Sequence, residues 1–289
     1  MKKQYLILAI GVVAVSLAVI FIRLAEAPPL VIAAWRMSLA ALIMIPLAMF
    51  HSREEFSRLS GTDIGLSLTA GLFLALHFGL WTASLSYTTV ATSVILVTAN
   101  PIFVSIASYL LFKERITRKI LTGIIVSFAG TVVIGYSNWS LGPSPFTGAG
   151  LALLGAFTIA VYLLIGRRLR RHIGLLTYSS LTFGSAALFL LGTVFISGQS
   201  LSGYPSSTYL MFILLALVPQ LIGHTSLNQA LKYLPATMIT IAILGEPVIS
   251  SALAYLILGE PPAVIEIIGG ILILGGIFLA FRNTGSSLR

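Results

Sequence analysis

Residues 85–130 read LSYTTVATSVILVTANPIFVSIASYLLFKERITRKILTGIIVSFAG, and residues 231–276 read LKYLPATMITIAILGEPVISSALAYLILGEPPAVIEIIGGILILGG. The second stretch repeats the first at a constant spacing of 146 residues and without a gap. Thus Tyr87 pairs with Tyr233, and Pro101 pairs with Pro247. Because both copies are almost wholly apolar, the pattern predicts a duplicated unit in a membrane. Such internal repeats are typical of secondary transporters, which bind their solutes between two related halves.

The composition indicates a helical membrane protein. The chain has 289 residues, of which 57% are hydrophobic and only 9% are charged, whereas soluble domains contain about 25% charged residues. Three stretches without Lys, Arg, Asp or Glu are each at least twice the ~20 residues that cross a bilayer: Ile64–Phe112, Ile120–Gly166 and His172–Leu231. They lack the period-two alternation of a membrane barrel, so we predict an all-α polytopic fold.

The apolar runs and their interruptions predict ten transmembrane helices, five in each half. Because five is odd, the halves must have opposite orientations in the membrane. We assign residues 1–136 to the first repeat, 137–146 to an outer linker and 147–289 to the second repeat. The predicted helices are residues 5–22, 30–50, 64–86, 89–112, 118–136, 147–166, 173–196, 208–231, 235–258 and 264–282.

The positions of Lys and Arg predict the topology, since cytoplasmic loops are enriched in these residues. With ten spans, fifteen of the 17 Lys and Arg residues lie on one side, only Arg23 lies on the other, and Arg36 lies within a span. We therefore predict a multi-pass protein of the cell (inner) membrane with both termini in the cytoplasm. The same distribution explains the net charge of +9 without nucleic acid as a partner.

Several chemistries have no basis in this sequence. The chain has no cysteine, no P-loop motif and no H-E-x-x-H motif, and Asp63 is its only aspartate. These absences exclude thiol chemistry and a P-loop ATPase, and they argue against a metal centre. We expect no cofactor, no metal and no enzymatic activity.

Matching interruptions in the two halves are the first candidate for a solute site. Asn100-Pro101 and Glu246-Pro247 occupy equivalent positions in the fourth and ninth helices, where proline predicts a kink. Paired interruptions indicate a binding site near the middle of the membrane. Alternatively, Asn100 and Glu246 cap restarted half-helices and take no part in transport.

Glu246 and Arg36 are opposite charges predicted at similar depth in the membrane. Ionisable groups at such depth are costly and face a partner or a cavity. Three interpretations stay open at this stage: a structural ion pair between the two, an Arg36 that binds substrate, and a Glu246 that carries protons.

Two further helices carry polar stripes. His77, Trp81 and Ser84 share one face of the third helix, because residues three and four apart are neighbours on a helix. In the eighth helix, polar side chains recur every four residues, and buried polar groups need partners. Both faces are candidates to line a cavity, and both are compatible with packing between helices. The eighth-helix stripe comprises Gln220, His224 and Asn228, and Tyr162 is a weaker candidate that could stack on a flat substrate.

Seven short segments are specific in their order and spacing: residues 14–36, 77–81, 100–103, 112–115, 245–248, 258–260 and 269–276. Together they resemble the ten-helix drug/metabolite transporters of the EamA type, and the resemblance covers nearly the whole chain. It implies a pseudo-symmetric inverted-repeat fold, with a central cavity between the first four helices of each half. It also implies transport of small organic metabolites, commonly export of amino acids or related compounds.

The leading functional hypothesis is a secondary transporter that exports an amphipathic or aromatic metabolite through the lipid bilayer. The alternative is a membrane scaffold or a subunit of a larger complex. Neither the coupling ion, protons included, nor the oligomeric state follows from the sequence. The acidic residue that couples protons in the first span of four-helix relatives has no counterpart in residues 5–22.

Overall fold

The computed structural model describes residues 2–88, 90–113, 117–136, 142–258 and 264–281, and these residues form helices and loops without a strand. Within them the helices group into ten segments at the ten predicted positions, joined by short connections. A short helix, Arg53–Ser57, follows the second segment. The segments are α1 (Lys2–Ser16 and Ala18–Leu24), α2 (Pro29–His51), α3 (Gly61–Ser84), α4 (Val90–Val97 and Asn100–Phe112), α5 (Arg118–Tyr136), α6 (Pro145–Leu169), α7 (Leu175–Ile196), α8 (Ser206–Leu215, a π-helix Ala216–His224, and Thr225–Leu231), α9 (Ala236–Ile243 and Glu246–Leu258) and α10 (Val264–Phe281).

The membrane character of the fold agrees with the prediction. In the described part of the chain, eight helices are long and apolar enough to cross a membrane, namely α1–α4 and α6–α9. Many of their outward-facing side chains are large and apolar, Phe50 and Phe195 among them, as expected for surfaces that contact lipid rather than water. The chain is therefore a polytopic helical membrane protein, and the number of ten spans stays a prediction.

The predicted interruptions of α4 and α9 are present. One helix ends at Val97 and the next begins at Asn100, and the equivalent break separates Ile243 from Glu246. The expectation that Asn100 caps the second half of α4 is wrong. Asn100 is already the first helical residue, makes no capping bond, and donates from Nδ2 to the carbonyl of Val97 at 3.2 Å.

Equivalent helices of the two halves pack against each other in antiparallel register. An added Cβ at Gly123 of α5 would lie 2.6 Å from the carbonyl oxygen of Gly276 in α10, and one at Gly130 would lie 2.5 Å from that of Gly269. Gly123 and Gly269 are repeat equivalents, as are Gly130 and Gly276, so the two contacts are exchanged by a pseudo-two-fold operation. Such a register requires opposite helix directions, as the predicted inversion demands.

The other large helix contacts follow the same pseudo-two-fold symmetry between the halves. Helix α3 packs on α6 while its counterpart α8 packs on α1, and α2 packs on its own counterpart α7. Between α5 and α10, Ser127 Oγ donates to the carbonyl of Ile273, its own repeat equivalent, at 3.0 Å. The core thus lies between the halves, and this position places the residues that the halves contribute jointly at the centre of the molecule.

We expect Gly276→Ala to destabilise the folded protein, by about 1–3 kcal/mol as for other overpacked contacts. The added methyl would lie 2.5 Å from the backbone nitrogen of Ser127 and 2.6 Å from the carbonyl of Gly123, and backbone cannot move aside cheaply. Gly275→Ala is the matched control, because no described atom lies within 4 Å of its added methyl. Thermal unfolding in detergent, followed by size-exclusion chromatography, measures the difference. Equal melting temperatures for the two variants would contradict the close helix approach.

Candidate functional site

A central cavity lies between the two halves, close to the breaks in α4 and α9. Its wall is mostly apolar, with Phe78 as a large ring and Val15, Ala18, Val97, Ile159, Leu227 and Ile243 as aliphatic contributors. Both halves supply residues, and a few polar groups converge on the same space, as in small-molecule sites generally. These polar and aromatic contributors are Arg36, His77, Trp81, Thr98, Asn100, His224 and Glu246.

Six of the nine site residues named from the sequence line this cavity: Arg36, His77, Trp81, Asn100, His224 and Glu246. The other three lie behind the wall. Ser84 donates to the carbonyl of Trp81 and bonds with the hydroxyl of Ser93. Tyr162 donates to Asn228 Oδ1 at 2.7 Å, so these two side chains satisfy each other within the protein.

Arg36 is held in a defined orientation at the cavity wall. It lies on α2 and is 2% exposed. Its Nε donates to Oε1 of Gln220 on α8 at 3.0 Å, and its guanidinium carbon lies 4.0 Å from the centre of the Phe78 ring. The cation is therefore stabilised by an amide and an aromatic face, and not by a carboxylate in contact.

Glu246 lines the same cavity without a direct ion pair to Arg36. No N···O distance of 4.0 Å or less joins the two among the described residues, so the interpretation as a structural salt bridge is wrong. The two opposite charges line the same cavity without touching. Arg36 is the one Lys or Arg, and Glu246 the one acid, among the described lining residues. Both charges are therefore available to a solute.

His77 and Trp81 form an aromatic wall on α3. Their rings stack with centroids 6.0 Å apart and planes 11° apart. His77 Nδ1 donates to the carbonyl of Gly155 on α6 at 3.0 Å, because a carbonyl can only accept. This bond places a proton on Nδ1 and holds the imidazole ring beside Trp81.

Four buried polar atoms around the cavity have no hydrogen-bond partner among the described residues. They are Trp81 Nε1, Asn100 Oδ1, Gln220 Nε2 and His224 Nδ1. Buried polar groups are nearly always paired, so each unpaired one needs an explanation. Three of them belong to residues of the cavity wall, and the fourth belongs to the amide that contacts Arg36.

The middle of α8 departs from α-helical geometry where it reaches the cavity. Residues Ala216–His224 form a π-helix that contains Pro219, and single π-helical turns are frequent at functional sites. Gln220 and His224 lie in the π-helix, whereas Asn228 lies in the α-helical turn that follows it. Gln220 contacts Arg36, whereas Asn228 contacts Tyr162 and Ser179.

A second polar cluster lies towards the predicted cytoplasmic ends of α6 and α8. Its central residue is Arg170, which the sequence analysis did not name as a candidate. Arg170 is 1% exposed and donates to the carbonyls of Asn228 and Ile173 and to Oε1 of Gln229. Burial lowers the pKa of Arg170, and the nearby Tyr178 opposes the shift. Arg170 occurs among four arginines in five residues, so no local signal distinguishes it from solvated neighbours.

The match to known proteins covers almost the entire chain, once in each half. The EamA-like transporter family matches residues 2–136 and again residues 146–282. The chain belongs to this family. The resemblance found in the order of the motifs is thereby confirmed.

Curated relatives of this EamA protein are named as transporters. One from Archaeoglobus fulgidus, named "Uncharacterized transporter", is 27% identical over 96% of this chain and 97% of its own length. One from Salmonella typhimurium, named "Probable amino-acid metabolite efflux pump", is 26% identical over 96% of this chain and 94% of its own length. A solved structure titled "Crystal structure of protein" has a TM-score of 0.80 at 19% identity and covers 97% of each chain, which supports the fold alone.

In the part of this EamA protein that the structure describes, no group of three or more His, Asp or Glu residues is placed to hold a metal ion. The polar groups of the cavity are instead one cation, one acid, two imidazoles, an indole, a hydroxyl and an amide. This donor set suits hydrogen bonding and charge pairing with an organic solute.

Proposed function

We propose that this EamA transporter exports small organic metabolites, namely amino acids or related amphipathic and aromatic compounds. The observation on which the proposal rests is the central cavity, where an oriented Arg36 and a carboxylate without a contact partner, Glu246, face the same space. The name of the Salmonella relative, an amino-acid metabolite efflux pump, supports this substrate class and direction.

Each part of an amino acid has a counterpart in the cavity. The carboxylate binds the guanidinium of Arg36 through charge-assisted hydrogen bonds. The ammonium group lies towards Glu246 and Asn100 Oδ1, an acceptor without a partner among the described residues. An aromatic side chain packs along the stacked His77 and Trp81 rings. Trp81 Nε1, which has no partner in the described part of the chain, is a donor for a polar substituent.

Transport proceeds by alternating access, with residues 1–136 and 147–289 as the two inverted repeats and 137–146 as the linker. The halves rock about the cavity, and the cytoplasmic side opens when the contacts between them there separate. One candidate contact is made by the Glu55 carboxylate, which accepts hydrogen bonds from Thr177 Oγ1 and from the backbone N–H of Gly174. The other is the Asp63–His172 pair at 2.9 Å.

The first test is transport by the purified protein in proteoliposomes, after a stable-isotope solute screen in cells that lack or overproduce it. We expect counterflow of at least one aromatic amino acid, and Trp81→Phe should slow it, because the exchange keeps the ring but removes the indole donor. Trp35→Phe is the control, since the Trp35 indole already donates to the carbonyl of Leu201 outside the cavity.

His77→Ala tests the same aromatic face by removing the imidazole that stacks on Trp81. Unchanged kinetics for Trp81→Phe and His77→Ala would remove it from the site, and no flux of any solute would favour the scaffold.

The second test concerns the orientation in the inner membrane, with both termini in the cytoplasm. The chain has no cysteine, so single cysteines can be introduced at will. Leu169 is fully buried, whereas its neighbour Arg168 is exposed and suitable for labelling. We expect Arg168→Cys to react with an impermeant maleimide only after cell lysis, and Ser202→Cys, between α7 and α8, to react in intact cells. The reverse pattern would invert the topology.

A further inference from the structure

The contact between Arg36 and Gln220 has a geometry that bears on selectivity. Arg36 comes from the first half and Gln220 from the π-helix of the second half, and Nε donates to Oε1 at 3.0 Å. Arginine carries only donors, so the amide oxygen must face it and Nε2 must point away. That Nε2 is one of the buried atoms without a described partner.

Gln220 and Phe78 together restrain the guanidinium plane. The hydrogen bond to Gln220 restrains rotation of the guanidinium within its own plane. The Phe78 ring, whose centre lies 4.0 Å from the guanidinium carbon, restrains the tilt of that plane. Because Nε is already bonded, a carboxylate cannot pair side-on with Nε and one terminal nitrogen. The edge formed by the two terminal nitrogens stays available for bidentate, end-on pairing.

The neutral amide has a second consequence. A carboxylate at position 220 would pair with Arg36 and compete with an anionic ligand, whereas glutamine orients the cation without neutralising it. Among the described residues, therefore, the one Lys or Arg of the cavity is oriented and keeps its charge for a solute.

We propose that Gln220 and Phe78 are positioning residues that make the cavity selective for ligands with a carboxylate over matched ligands without one. This inference rests on the proposed function, because it assumes that the solute binds in the central cavity. Gln220 acts through Arg36, and it links the carboxylate subsite to both halves of the transporter.

The test compares the binding of tryptophan and tryptophanamide, which differ in the carboxylate but share the ring and the ammonium group. Isothermal titration with the full chain in nanodiscs gives the ratio of the two dissociation constants. We expect wild type to prefer tryptophan by about tenfold or more, as one bidentate charged contact provides. Gln220→Leu and Gln220→Glu should both reduce this ratio to near unity, and Phe78→Leu should reduce it in part.

Gln229→Leu is the matched control. Gln229 lies on the same helix and its Oε1 accepts from Arg170 at 2.9 Å, outside the cavity, so its loss should leave the ratio as in wild type. A wild-type preference that persists in Gln220→Leu and Gln220→Glu would overturn the positioning role and spare the proposed function. A wild type that binds both compounds equally would overturn the carboxylate selectivity and spare the proposed function, whereas one that binds neither would overturn both. Since the readout is a ratio within each variant, partial loss of folded protein does not change it.

Discussion

Glu246→Gln is expected to abolish transport driven by a pH gradient while leaving counterflow exchange in place. Glu246 is the one acid among the described residues that line the cavity, and it lacks a contact ion pair. A carboxylate in that position can exchange a proton and a solute in turn, whereas the amide stays neutral in every state. Counterflow needs only the binding and the movement of the solute, so the neutral isostere should support it. Proteoliposomes with an imposed pH gradient separate the two activities.

Glu54→Gln is the control for this prediction. Glu54 pairs with Arg58 on an exposed helix, with an N···O distance of 3.3 Å, so its neutralisation removes a carboxylate without touching the cavity. Gradient-driven flux should then match wild type. If such flux survives in Glu246→Gln, the proton site lies elsewhere, and His77 and His224 follow as candidates because both line the cavity.

Arg36→Gln should weaken binding of a carboxylate solute between about tenfold and a hundredfold. A hydrogen bond to a charged group contributes roughly 1.5–3 kcal/mol, and each 1.4 kcal/mol is about tenfold in affinity. The substitution also leaves Gln220 Oε1 without its donor. The affinity of Arg36→Lys should fall between those of wild type and Arg36→Gln, because lysine keeps the charge but lacks the planar, forked guanidinium. Dissociation constants measured beside thermal stability distinguish lost recognition from lost folding.

The double variant Arg36→Gln with Glu246→Gln tests the electrostatic coupling of the two charges. Because they are not in contact, we expect a coupling free energy below the ~3–5 kcal/mol lost when a buried contact pair is broken. The double neutral variant should nevertheless recover part of the combined loss, since neither charge is left alone in the cavity. Strict additivity of the two single losses would mean that the charges do not interact.

The repeat, the membrane character and the helix positions were predictable because they depend on local composition and on internal comparison. Apolar runs of span length form helices whatever their neighbours are, and the breaks before Asn100 and Glu246 follow from paired prolines. The inversion followed from an odd number of spans per half. It agrees with the antiparallel contact of Gly123 with Gly276. Six cavity residues could also be named from the sequence, because polar side chains stand out within an apolar helix.

Only the tertiary structure decided which polar groups satisfy one another. Asn228 is as conspicuous in sequence as His77, yet it bonds to Tyr162 behind the cavity. A structural pair of Arg36 and Glu246 was one of three open interpretations, but Gln220 and Phe78 contact the guanidinium instead. Hydrogen-bond partners in a helical membrane protein come from other helices, often more than a hundred residues away. Their choice depends on how the helices are rotated against one another, which no local pattern encodes.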